Sequence, residues 1–171
     1  MISEKERFLN FWEREYDTTL KVLKAYPVSE QDWKPHEKSR SAKELAWTFV
    51  AEEIGGIQKT LLGKPDFSNL PKAPATMKQA IAEYELIHAE SVKKLKKMSD
   101  EELNKEIKFP SGPGKMANMR IIDICWMMIM DMIHHRGQFS VYIRMSGGKI
   151  PSIYGPTADE PWQEATIKAV A

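Results

Sequence analysis

Asp131 and His135 are the residues whose types and spacing could do chemistry together. They stand one helical turn apart, the geometry in which a carboxylate and an imidazole meet each other or converge on one cation. Ile124, Met128, Gln138 and Tyr142 fall on the same three- and four-residue steps, so an apolar stripe turns polar midway along one helix face. Inside a bundle, such a pair is costly unless it is hydrogen-bonded, suitably protonated or bound to a metal. Spacing alone leaves two readings open: an interior Asp–His pair, or a metal or acid/base centre.

Other residues that could act chemically have plainer readings. His134 lies about 100° around the helix from His135 and belongs to the rim or surface. His88 sits on an apolar stripe, where a hydrogen-bonded core histidine is the commoner outcome. Arg136 and Arg144 could hold an anion, but pairing with carboxylates or carbonyls is favoured. Cys125, between Ile124 and Trp126, reads as a small buried hydrophobe, and the methionines of 116–132 as core or dimer-seam filler. The stretch 111–116 imitates a phosphate loop only superficially. Phe109 stands at the first required glycine and Met116 at the magnesium-binding hydroxyl, so no nucleotide is expected there.

Four long helical patterns must position the Asp131/His135 face. Ser3 and Glu6 have capping-box spacing ahead of Phe8, Trp12, Tyr16, Leu20 and Leu23, and Pro27 ends that pattern. Residues 28–40 form a connector across one bundle end, with one short turn begun by Ser29 and Asp32. Ser41 and Glu44 repeat the capping spacing before Leu45, Phe49, Ile54, Ile57 and Leu61, with Gly63 and Pro65 as stop signals. After a proline-rich loop, Thr76 opens a third helix through Met77, Ile81, Tyr84, His88, Val92, Leu95 and Met98. Ser99 and Glu102 could cap a short turn, and Ile107 and Phe109 alternate into a tight turn or small hairpin at 110–114. The fourth long helix runs from about Met119 to Ser146 and stops at Gly147-Gly148; residues 161–171 are expected to form a last short helix.

This pattern predicts an all-α chain, a four-helix bundle in one domain spanning 1–171, with any site between helices. Twenty-five basic residues against twenty-four acidic ones provide no field for a nucleic-acid backbone. The most apolar run, 121–133, contains Asp123 and Asp131 and falls short of the roughly 20 residues a bilayer needs. One cysteine and a charged N-terminus without a secretory h-region point to a reducing, cytoplasmic setting. Neither a nucleic-acid nor a membrane partner is therefore expected.

The run His134-His135-Arg136-Gly137-Gln138-Phe139-Ser140-Val141-Tyr142-Ile143-Arg144, followed by Lys149-Ile150-Pro151-Ser152-Ile153-Tyr154-Gly155-Pro156, resembles the DinB/YfiT-like family. Residues 41–53 resemble that family's second helix, and the order of helices matches along nearly the whole chain. The resemblance implies a four-helix bundle with a long crossover connection and a short C-terminal extension, often a homodimer. It also implies a divalent metal held by three histidines, one from helix two and an H-x-x-x-H pair from helix four. Here Asp131 stands at the first histidine of that pair and Thr48 at the helix-two histidine, so only His135 survives. Asp131 and His135 could still hold zinc, nickel, manganese or iron. Glu52, one turn after Thr48, would add a third ligand if it points inward, although helix glutamates are usually exposed. Thr48, Gln138 and Tyr142 are expected to line the site. Two functions follow: a metal-dependent hydrolase or thiol transferase acting on a small molecule, or a non-catalytic dimer that has lost the metal and serves as a binding or stress-associated module.

Overall fold

The structure, a computed structural model, describes residues 2–162. Four long helical stretches form the body: α1 (Glu4–Lys24), α2 (Ala42–Ala51) with its continuation, α4 (Met77–Lys97) and α6 (Ile121–Met145). The continuation of α2 is a π-helical segment, Glu52–Gln58, followed by the short α3 (Lys59–Leu61). A further turn, α5 (Asp100–Leu103), leads into the antiparallel hairpin β1 (Glu106–Gly112) and β2 (Lys115–Arg120). The all-α bundle expected from the sequence is therefore the architecture, with one small sheet added.

Local chemistry starts the helices. Ser3/Glu6, Ser41/Glu44, Thr76/Gln79 and Ser99/Glu102 all form reciprocal capping boxes, each satisfying backbone N–H groups that a first turn leaves unpaired. Helix α6 has no such cap, because it leaves β2 directly; the Ile121 N–H instead donates to the Lys105 carbonyl at 3.0 Å. It starts at Ile121 rather than Met119, since Met119 pairs with Ile107 across the hairpin. Gly147, at φ +74°, ends it in the left-handed conformation. The stretch that imitates a phosphate loop is the hairpin turn and strand β2. The expected C-terminal helix lies, from residue 163 on, outside the described residues.

The stripes named above meet in one core. Phe8 packs on Trp12 and edge-on to Trp126, and Phe139 and Tyr26 meet at 5.3 Å at the opposite end. Residues 28–41 cross that end: Gln31 accepts from the Met77 N–H through its side chain, and the Tyr142 hydroxyl donates to the Arg40 carbonyl at 3.0 Å. A buried ion pair keys α6 to α1. Arg136 donates to the Glu15 carboxylate at 2.7 Å, the Glu15 carbonyl, Thr19 Oγ1 and the Tyr154 hydroxyl.

The π-helical segment is the feature that a regular helical period does not anticipate. Glu52, Glu53, Gly55, Gly56, Ile57 and Gln58 are all buried, more than one face of a 3.6-residue helix can hide. Adjacent glutamates consequently reach different neighbours: Glu52 faces α6, and Glu53 accepts from His88 Nδ1 of α4 at 2.8 Å. The two glycines allow the close packing. A Cβ at Gly55 would stand 2.8 Å from Phe67 Cδ1 and 2.9 Å from the Asp66 carbonyl; one at Gly56 would stand 2.5 Å from Met128 Sδ. Gly55→Ala is expected to destabilise the fold by roughly 1–3 kcal/mol through overpacking against backbone, read as a lowered urea midpoint. Gly56→Ala should cost less, because the Met128 side chain can move aside.

Candidate metal centre

Helix α6 and the π-helical segment bring Glu52, Asp131 and His135 together, one ligand atom from each lying within 4.8 Å of the others. His135 Nε2 is 3.1 Å from Glu52 Oε1 and 3.8 Å from Asp131 Oδ2. Gln138 lies on the other side of the ring, where His135 Nδ1 donates to its Oε1 at 2.9 Å. That bond assigns the proton to Nδ1 and leaves the Nε2 lone pair facing the two carboxylates, the tautomer a metal requires. Gln138 is held in turn by His134, to which its amide donates at 3.0 Å.

The electrostatics are those of a site short of a cation. Glu52 is buried, and its Oε2 has no hydrogen-bond partner among the described residues. Burial pushes the Glu52 carboxyl up to about 7, with the His135 hydrogen bond acting against it. His135 is raised as well, chiefly by its hydrogen bond to Glu52. With Nδ1 protonated toward Gln138, the 3.1 Å Glu52–His135 contact joins two acceptors and needs one proton between them. A divalent cation can take that proton's place and also satisfy the orphaned oxygen, so the donor set fits a carboxylate- and imidazole-binding metal.

A cavity of about 700 Å³ opens beside the triad. Its walls are the 28–41 connector, α2, the 66–73 loop and α6, with Trp47, Phe67, Leu70 and Met128 as its apolar part. The loop is seated by Asp66, which accepts from Ser68 N at 2.7 Å and Lys59 Nζ at 3.0 Å. Thr48 lines the cavity; its hydroxyl accepts from Arg40 Nη1 at 2.8 Å and donates to the Glu44 carbonyl.

Residues 1–166 match the DinB family model. The chain belongs to the DinB family. An uncharacterised protein of Bacillus subtilis (strain 168), YrdA, is 28% identical over 99% of this chain and 98% of its own length. Among solved structures, a DinB-like protein from Bacillus cereus ATCC 10987 aligns with a TM-score of 0.69 at 21% identity, covering 86% of this chain and 95% of its own. A second DinB-like protein, YjoA of Bacillus subtilis, aligns with the same TM-score at 17% identity over 86% and 97% of the two chains. At those identities the structural likeness establishes the DinB fold alone.

Several expected positions are corrected within that DinB fold. Asp131, expected in the bundle interior, is 52% exposed at the cavity mouth. Tyr142, expected to line the site, instead packs edge-on against Trp33 and anchors the connector at Arg40. Gln138 is not in the wall of that cavity and touches the site through the His135 ring. Glu52 points inward, against the norm for helix glutamates. His134 is exposed, whereas His88 and Cys125 are buried, with His88 stacked on Tyr16 at 3.7 Å. Burial pushes the Cys125 thiol far up, which removes it as a nucleophile. Arg136 and Arg144 are paired with Glu15 and Asp159. Sequence reasoning missed the pairing of Glu53 with His88 and the cationic residues Lys34, Lys38 and Arg40 on the cavity wall. No helix among the described residues is long and apolar enough to cross a membrane.

Proposed function

We propose that this protein is a divalent-metal-dependent enzyme of hydrolase or thiol-transferase type, in which Glu52, Asp131 and His135 hold the metal. The observation that carries this reading is the buried Glu52 carboxylate, with one oxygen unpartnered among the described residues and the other 3.1 Å from His135 Nε2, at the wall of an open cavity. When bound, a zinc, nickel, manganese or iron ion supplies Lewis acidity and lowers the pKa of a bound water or thiol. Three protein ligands leave coordination positions for substrate, which supports a catalytic rather than a closed structural site.

The chain's own residues have separate tasks. Gln138 holds His135 in its Nε2-accepting tautomer. Asp131, at the mouth, supplies negative charge that draws a cation from solvent. Trp47 and Phe67 offer apolar surface to a small molecule entering the cavity.

Elemental analysis after exposure to a zinc, nickel and manganese panel tests this reading. Near-equimolar metal is expected in the wild type, and little in Asp131→Ala and His135→Ala variants that remain folded. If the wild type takes up none of the panel, the metal reading fails and the non-catalytic binding module replaces it.

A further inference from the structure

The cavity beside the triad is also lined by Lys34, Lys38 and Arg40, three cations from one connector. None of them forms an ion pair among the described residues. Glu44 shares the lining, and its carboxylate accepts from the Ser41 N–H and hydroxyl at 2.7 and 2.9 Å. Arg40 is seated at both ends. One guanidinium nitrogen donates to Thr48, and its backbone carbonyl accepts from Tyr142, so its remaining N–H groups are presented by a fixed residue. Trp47, Phe67 and Met128 line the same cavity.

We infer that the cavity takes a small amphipathic carboxylate, its anionic end on Arg40 and Lys38, its apolar body along Trp47 and Phe67, and its other end at the triad. The guanidinium plane matches a carboxylate. In the metal-free protein a second anionic group is disfavoured, because the carboxylates of Glu52 and Asp131 line the same cavity. The placement of the ligand's reacting end rests on the metal reading; the anion subsite does not. Thr48 serves as the seat of Arg40.

Calorimetric titration with phenylacetate, its neutral counterpart phenylacetamide, and acetate tests this, first in EDTA and then with one equivalent of zinc. In EDTA, phenylacetate is expected to bind about tenfold more tightly than phenylacetamide, one charge-assisted contact's worth, and acetate far more weakly than phenylacetate. The double variant Lys38→Gln/Arg40→Gln should bring acid and amide to equal affinity while keeping the wild-type metal stoichiometry. Thr48→Val, which leaves both cations in place but removes the seat, should reduce the preference partway. Equal affinity of acid and amide in the EDTA-treated wild type overturns the inference, as does a preference that survives the double variant or appears only with zinc. If no metal binds yet the preference depends on Lys38 and Arg40, the carboxylate subsite stands and the metal reading alone falls.

Discussion

Replacing Arg136 with methionine is expected to destabilise the protein by roughly 3–5 kcal/mol, the cost of leaving a buried charge without its partner. Arg136 and Glu15 are 1% and 4% exposed, and they meet at 2.7 Å. Without the guanidinium, the Glu15 carboxylate keeps, among the described residues, the Tyr154 hydroxyl, which donates to it at 2.6 Å, and the exposed Arg14, whose Nε stands 3.8 Å from it. The buried carboxylate must then ionise against one neutral donor and a solvated cation at longer range, or fold protonated. For a chain of this length that loss corresponds to a fall in melting temperature of roughly 6–20 °C. The double variant Glu15→Met/Arg136→Met should recover most of it, because a packed apolar pair replaces an ion pair at little net cost. A urea-denaturation double-mutant cycle measures both statements. A single-variant loss below about 1 kcal/mol would mean that the pair is solvated and does not key the helices.

Arg136 also bears on the site through its place in α6. It and His135 are consecutive, hence about 100° apart around the helix. Arg136 reaches α1 while His135 reaches Glu52 at the end of α2. The ion pair therefore sets the rotation of α6 that aims His135 at its partners, which gives a buried charge pair a positional role.

The parts of this arrangement legible in the sequence are those governed by short spacing. Capping spacing at Ser3/Glu6, Ser41/Glu44 and Ser99/Glu102 and the three- and four-residue apolar steps marked the helices because both effects act within one or two turns; the fourth box, Thr76/Gln79, came only with the structure. The Asp131/His135 pair was visible for the same reason. Glu52 was weighed as a ligand only through its distance from Thr48, since its orientation depends on a π-helical segment. The local signal for that segment is Gly55-Gly56 inside an otherwise apolar helix, a pair that favours close approach of neighbouring elements. Pairings such as Glu15 with Arg136, 121 residues apart, have no local signature at all. The cationic wall escaped notice because Lys34, Lys38 and Arg40 lie on an irregular connector, where no period tells which way a side chain faces. Asp131 was expected inside because its helix face is apolar at Ile124 and Met128; that face emerges from the core before reaching residue 131.

Glu52→Gln is expected to lower metal affinity by at least about 100-fold, more than the loss of a group that merely orients a ligand, and to raise the stability of the metal-free protein at pH 8. The two effects share one cause. The Glu52 carboxyl is pushed from 4.5 to about 7 by burial, so the folded chain holds a proton that the unfolded chain releases. A raised carboxyl pKa makes stability fall as pH rises from about 4.5 through 7, and the folded chain bears the full cost of the ionised, underpartnered carboxylate above that range. At ~1.4 kcal/mol per unit this amounts to ~3 kcal/mol. His135, also raised, adds in the same direction: its contribution is complete below the usual imidazole pKa and is lost as pH climbs through the folded value. In EDTA the wild type should therefore lose urea resistance between pH 5.5 and 8, while Glu52→Gln should lose much less. Zinc at 100 times its dissociation constant should restore about 2.7 kcal/mol to the wild type at pH 8. At pH 5.5, where protons hold the ligands, zinc should do little, and for Glu52→Gln, at the same zinc concentration, it should add no more than about 0.4 kcal/mol at either pH. If the chelated wild type is as stable at pH 8 as at pH 5.5, Glu52 is not a strained buried acid. If zinc stabilises Glu52→Gln as strongly as the wild type, the metal is held without it.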